Sequence, residues 1–139
     1  MKLNKSLDHV AIVVKNIKKQ VNWYCKIYDA KKLGKVFLYK EQKVKIQFLK
    51  SSNLQIELLE AYGKDSPIKN FLNKNENSKY NHIAFNVKSL DYAEKFVKKN
   101  NGKIITRTKN GWQGNEVMFA LFFNQNDYQL IEYVKTKKN

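Results

Sequence analysis

The sequence predicts an α+β protein: two tandem βαβββ modules forming a curved mixed sheet around a central metal cavity. Three observations carry this expectation. The chain repeats itself, since His9-Val10-Ala11 matches His82-Ile83-Ala84 and Val14-Lys15-x-Ile17 matches Val87-Lys88-x-Leu90, both displaced by 73 positions. Ile56-Glu57-Leu58 matches Ile131-Glu132-Tyr133, displaced by 75. A fixed internal period marks one structural unit used twice. Each copy also opens on a β-branched run, continues at helical spacing and returns to strands. Finally, both histidines of the chain and two glutamates in apolar strands fall at equivalent places in the copies.

The elements follow in order. Leu7 to Val14 is a strand by its β-branched content. Asn16 opens a helix carrying Ile17, Val21, Tyr24, Cys25 and Tyr28. Lys32 to Lys40 is a strand. Val44 to Leu49 and Leu54 to Leu59 are two more, joined by a turn at Ser51-Ser52-Asn53. Asp65-Ser66-Pro67 reads as a helix start, with Ser66 able to cap and Pro67 at the first helical position. In the second copy, Tyr80 to Val87 is a strand, and Leu90, Ala93, Phe96 and Val97 mark a helix that ends near Asn101-Gly102. Lys103 to Thr108, Glu116 to Phe123 and Tyr128 to Val134 complete the strands. The expected organisation of residues 1–139 is a single domain: module one at about 5–62, a linker helix at about 65–75 and module two at about 79–135.

A glutamate between Ile56 and Leu58, or between Ile131 and Tyr133, costs free energy if it turns inward without a partner. Singly, a strand histidine is an ordinary hydrogen-bonded core residue and a strand glutamate an ordinary solvent-facing one. Two matched His/Glu pairs point instead to a shared ligand. His9, Glu57, His82 and Glu132 are the expected ligands of one divalent ion, because nitrogen and oxygen donors without sulfur suit Co, Zn, Ni, Mn or Fe. Pleat alternation turns Asp8, Glu60 and Asn81 away from that site and leaves Gln55 on the same face as Glu57.

Composition narrows the partners. The chain carries 27 basic and 12 acidic residues, a formal charge of +15, which attracts anions at long range. Arginine appears once, at Arg107, and the lysines are spread along the chain. Base readout and bidentate phosphate clamping rely on arginine, so nucleic acid is disfavoured and an anionic small molecule preferred. Five glycines and one proline argue against a flexible linker. The lone Cys25 fits a reducing compartment, no run reaches the ~20 apolar residues of a membrane span, and the N-terminal stretch has no signal-peptide pattern. The expected location is the cytoplasm.

Leu7-Asp8-His9-Val10-Ala11-Ile12-Val13-Val14, then Ile56-Glu57-Leu58-Leu59-Glu60 before Asp65-Ser66-Pro67-Ile68, then His82-Ile83-Ala84-Phe85-x-Val87, then Leu130-Ile131-Glu132 together resemble the vicinal oxygen chelate superfamily. That superfamily holds glyoxalase I, extradiol dioxygenases, fosfomycin and bleomycin resistance proteins and methylmalonyl-CoA epimerase. The resemblance runs from Leu7 to Val134. Within the superfamily the strongest likeness is to methylmalonyl-CoA epimerases, through Glu41-Gln42 before the third strand and Gly63-x-Asp65-Ser66-Pro67-Ile68 after the fourth. The resemblance implies a metal-dependent isomerase that moves a proton beside a carbonyl through an enolate, with an acyl-CoA as one candidate substrate, and it is compatible with a homodimer. It places the metal ligands on His9, Glu57, His82 and Glu132 and makes Glu132 the expected catalytic base. Where the family can supply a third-strand carboxylate, this chain offers Lys45, Ile46 and Gln47, with Glu41 a more distant acid. Lys45, Gln47, Gln55 and Trp112 are the expected substrate contacts.

The family's His-Gly pair before the seventh strand is replaced by Gln113-Gly114-Asn115, and its His-Pro-Lys turn by Phe123-Asn124-Gln125, pointing to a different acyl group or substrate. A lactoylglutathione lyase of the glyoxalase I type is the rival, since its ligands also mix histidine and glutamate. A dioxygenase fits less well, because its two-histidine, one-carboxylate site needs open positions. A drug-binding protein fits less well too, as such proteins often lack the ligands.

Overall fold

The computed structural model describes residues 1–137. Module one runs β1 (Ser6–Val14), α1 (Ile17–Ile27), β2 (Lys31–Tyr39), β3 (Val44–Ser51) and β4 (Leu54–Ala61). Module two runs β5 (Ser78–Val87), α2 (Leu90–Lys99), β6 (Lys103–Thr108), β7 (Val117–Asn124) and β8 (Asp127–Lys135). The fold is therefore α+β, with the βαβββ order used twice. Residues 9–81 form one compact unit, and residues 1–8 join residues 82 onward in the other.

In the first unit the strands lie in the order β2-β3-β4-β1. β1 runs parallel to β4, and β3 is antiparallel to both β2 and β4. In the second unit the order is β5-β8-β7-β6, with β5 parallel to β8 and the remaining pairs antiparallel. Even the irregularities recur: the outer pair of each sheet shifts register, between Leu33 and Phe37 in one and Ile104 and Thr106 in the other.

Each helix is capped by the residue its sequence offers. Asn16 Oδ1 accepts the Lys19 N–H at 3.0 Å, and Ser89 Oγ accepts the Tyr92 N–H at 3.1 Å. α1 buries Ile17, Val21 and Tyr24, and α2 buries Leu90, Ala93 and Val97, one stripe each. These stripes cover one face of their own sheets. α1 packs with Val14, Leu49, Ile56 and Leu58. α2 packs with Val87, Met118, Ala120 and Tyr133, and Leu3 of the N-terminal segment joins that core. α2 ends as expected, with Asn101 in the left-handed region at φ 60° and the Gly102 N–H donating to the Val97 carbonyl at 2.8 Å.

One expectation fails. No helix forms over 65–75; that stretch is a chain of turns. The Lys69 and Phe71 N–H groups reach back only three residues, to the carbonyls of Ser66 and Ile68. Ser66 does cap locally, its hydroxyl accepting the Ile68 N–H at 3.4 Å. A single turn is too short to propagate a helix by itself, since the first turn orders several residues for one hydrogen bond. Ile68, Phe71 and Leu72 instead pack on the sheet face away from α1, beside Ala11, Val13, Ile46 and Phe48. No helix among the described residues is long and apolar enough to cross a membrane.

Candidate metal-binding pairs

Register decides which side chains share a face. In module one Ala11 pairs with Glu57 and Phe48 pairs with Glu57 across the other edge of β4. His9, two residues before Ala11, therefore lies on the face of Glu57 and Phe48, opposite α1. In module two Ala84 pairs with Glu132 and Phe119 pairs with Glu132. His82, Glu132 and Phe119 share the face opposite α2 for the same reason. The repeat seen in sequence is thus a repeat in space within each unit.

The two pairs have matching geometry. His9 Nε2 lies 3.6 Å from Glu57 Oε1, and His82 Nε2 lies 3.1 Å from Glu132 Oε1. All four residues are at most 8% exposed. A buried carboxylate needs such a partner, because an isolated buried charge costs several kcal/mol. Two donors bonded at ~2.1 Å to one ion, at angles between octahedral and tetrahedral, stand about 3.0–3.4 Å apart; the His82–Glu132 separation falls in that range and the His9–Glu57 separation of 3.6 Å lies just outside it. Imidazole nitrogen with carboxylate oxygen is the donor set of a borderline divalent ion.

Sequence reasoning missed the residues that orient the imidazoles. The Phe48 and His9 rings pack edge to face, with centroids 5.7 Å apart and planes at 84°. Phe119 packs on His82 in the same way, at 5.1 Å and 82°. Both arrangements are the edge-to-face form that aromatic pairs prefer. Each phenylalanine sits on the strand neighbouring the glutamate strand and pairs with that glutamate, but the two stand 71 positions apart rather than 73 or 75, so the period alone did not single them out.

The expected substrate contacts divide. Gln55, two residues before Glu57 on β4, shares its face and is half-buried. Lys45 and Gln47 do not. Lys45 pairs with Glu60 and Gln47 with Leu58, which puts both on the α1 face. Lys45 Nζ lies 3.6 Å from Glu60, and buried Gln47 donates through Nε2 to the carbonyls of Phe48 at 2.8 Å and Gly34 at 3.2 Å. Their hydrogen-bonding groups serve the scaffold, so as substrate contacts they are corrected. Glu60 faces α1 as alternation requires, its Oε1 accepting the Ile17 N–H at 2.8 Å. Trp112 stands in a short 3-10 turn, Trp112–Gly114, leading into β7, and is 37% exposed. Glu41 lies exposed in the turn after β2, where the Tyr39 hydroxyl donates to its Oε2 at 3.5 Å. Tyr39 pairs with Val44, on the His9 face.

Tyr24 and Tyr133 on the helix faces and Tyr80 on β5 carry pKa shifts, each raised by burial. Burial pushes the Tyr133 phenol up to about 12. Burial, with a smaller contribution from neighbouring Tyr28, raises that of Tyr24.

This geometry agrees with what the chain is similar to. Residues 8–119 match the model of the glyoxalase/bleomycin resistance protein/dioxygenase superfamily. Over 114 residues the chain is 34% identical to the mitochondrial methylmalonyl-CoA epimerase of Dictyostelium discoideum, covering 81% of this chain and 68% of that one. The human mitochondrial methylmalonyl-CoA epimerase is also 34% identical over 114 residues, with 81% and 64% covered. The chain thus spans about two thirds of the length of these curated relatives. A solved hypothetical protein from Bacillus halodurans superposes with a TM-score of 0.82 at 31% identity, covering 98% of this chain and 97% of that one. The repeated module, the paired histidines and glutamates and these matches lead to one conclusion: the chain belongs to the glyoxalase/bleomycin resistance protein/dioxygenase superfamily.

Proposed function

We propose that the protein is a metal-dependent acyl-CoA epimerase of the methylmalonyl-CoA kind, inverting a carbon between a thioester carbonyl and a carboxylate by way of an enolate. The observation that carries the reading is the duplicated, buried His–Glu pair. Kinship with methylmalonyl-CoA epimerases supplies the substrate class. In this reading His9, Glu57, His82 and Glu132 would hold one divalent ion, with Co, Zn, Ni or Mn suited to the donors. When bound, such an ion supplies a Lewis acid for the substrate's carbonyl oxygen.

The chain's own residues do the rest. Glu132 takes the proton from the substrate carbon on one face and, in the reverse direction, returns it there. The 3.1 Å contact with His82 Nε2 orients its carboxylate, and Phe119 fixes that imidazole in turn. Epimerisation needs a second acid on the opposite face of a planar enolate. Glu41 fills that role, its carboxylate drawn by the Tyr39 hydroxyl. Gln55 contacts the substrate from the Glu57 face, and Trp112 from its turn before β7. The apolar neighbours Ala84, Val117 and Val134 keep water from the Glu132 face. The +15 charge speeds capture of an anionic thioester. The cytoplasm belongs to this reading through the lone Cys25. All four ligands come from one chain, so no partner copy is required.

A glyoxalase I-type lyase would use the same mixed histidine and glutamate set, and substrate choice separates the two. The test is elemental analysis of the purified protein, followed by solvent-deuterium incorporation into methylmalonyl-CoA and into the hemithioacetal of glutathione. About one divalent ion per chain and deuterium in the thioester alone are expected. Turnover of the hemithioacetal without exchange in the thioester would overturn the epimerase reading.

A further inference from the structure

On the last strands of the two modules, one position changes its sign of charge. The displacement that carries Glu57 to Glu132 carries Glu60 to Lys135. In module one the Glu60 carboxylate accepts the first N–H of α1 at 2.8 Å, placing an anion at the end of the sheet. Turns of the 65–76 segment then close over that end, leaving a cavity of about 310 Å³ bordered by Lys15, Glu60, Ile68 and Leu72. The equivalent end of module two lies between the end of β8 and the 3-10 turn before β7. A cavity of about 940 Å³ opens there instead, bordered by Lys88, Lys135 and Lys137 with Thr136, Gly114 and Asn115. Lys88 is the repeat partner of Lys15, so that lysine is kept while the carboxylate is replaced by another lysine.

We propose that this cavity is a binding site for phosphate groups, taking a pyrophosphate-like anion where module one carries its own carboxylate. Its volume is that of a small-molecule pocket. Three ammonium groups around one opening form a point-charge phosphate site, the use to which lysine is suited. The Thr136 hydroxyl and the Asn115 amide add neutral donors. Glu116, the one acid on the lining, has Arg107 Nη2 at 3.9 Å to offset it. Lys137 Nζ donates to the Gln113 carbonyl at 3.0 Å, which holds the wall formed by the end of the chain against the 3-10 turn. At Gly114 a side chain would meet nothing within 4 Å, so the opening there is clear of protein. The site stands independently of the reaction proposed above. The phosphates have two sources, a nucleotide-bearing thioester or a free oligophosphate, and one experiment separates them.

Inorganic pyrophosphate is titrated calorimetrically into the whole protein at fixed ionic strength. One site per chain is expected, weakened at least about tenfold in Lys88→Gln/Lys135→Gln/Lys137→Gln. Lys31→Gln/Lys32→Gln/Lys35→Gln, with the same charge change on exposed β2 positions, should stay within about twofold of the parent. The single variant Lys135→Glu keeps the Lys137 contact, restores the charge found in module one, and should also lose about tenfold. Displacement of pyrophosphate by coenzyme A, but not by pantetheine, assigns the site to the substrate's phosphates. Coenzyme A binding without displacement assigns it to a free anion. Equal weakening in the two triple variants would reduce the effect to bulk charge and overturn the proposal, as would no weakening in either or no binding by the parent.

Discussion

Glu60→Ala tests how module one is held together, and its cost can be worked from contacts. The carboxylate accepts the Ile17 N–H at 2.8 Å, and Ile17 is only 4% exposed. A hydrogen bond to a charged acceptor contributes about 1.5–3 kcal/mol, and an anion at a helix N-terminus about 0.3–1 kcal/mol. Lys45, at 3.6 Å and well exposed, adds at most ~1 kcal/mol. These contributions overlap, so about 2–3 kcal/mol is expected for the alanine variant. Glu60→Gln keeps an acceptor and loses only the charge, for about 1 kcal/mol. Urea unfolding followed by circular dichroism reads both. At a slope of ~2 kcal/mol/M the alanine midpoint should fall by about 1 M and the glutamine midpoint by about half that. If alanine moves the midpoint no further than glutamine, the contact to Ile17 is not what Glu60 contributes.

Three further outcomes follow from other sites. Glu132→Gln keeps an oxygen donor but not a base, so it should retain most of the metal while losing a factor of ~10²–10⁴ in turnover; undiminished deuterium exchange would leave Glu132 a ligand only. In Gly102→Ala the new Cβ would stand 2.8 Å from Val97 Cγ1 and 2.9 Å from Phe122 Cε1, and calorimetric stability should fall by about 1–3 kcal/mol; an unchanged melting temperature would mean the α2–β7 contact relaxes freely. Burial holds the Tyr133 phenol neutral until about pH 12, whereas in the unfolded chain it ionises near 10. The stability it contributes is complete below pH 10 and is lost between about 10 and 12, as the unfolded state sheds the proton first, by about 2–3 kcal/mol. Tyr133→Phe should flatten that part of the alkaline unfolding curve, and superimposable curves would refute the assignment.

The internal period made most of the fold legible, because a strand, a helix and three strands with His and Glu at fixed places cannot recur by accident of composition. The cap at Asn16 was a local signal and appears as such in the structure, where Ser89 caps α2 in the same way. The faces of β3 were harder. A turn read as Ser51-Ser52-Asn53 leaves the pairing ambiguous by one residue, and a one-residue slip exchanges the two faces of a strand. The structure pairs Ser51 with Leu54, so Phe48 rather than Gln47 stands opposite Glu57. That single step moved Lys45 and Gln47 off the candidate site and brought Phe48 onto it. The segment at 65–75 misled for another reason. Its capping chemistry was real, but its apolar residues found partners on the sheet before a second helical turn could form.

Leu3 lies in the core formed with α2, although it is among the first residues of the chain. The Tyr92 hydroxyl also donates to the Lys2 carbonyl at 3.4 Å. During synthesis the first unit can complete itself once residue 81 has emerged, while residues 1–8 wait for strands some hundred positions later. Closing so long a loop costs only a few kcal/mol more than a short one, since the entropy grows with the logarithm of length. The arrangement orders assembly in time. It also means that dividing the gene between the modules would not separate two self-sufficient halves, because the second half's core includes a residue encoded before the first.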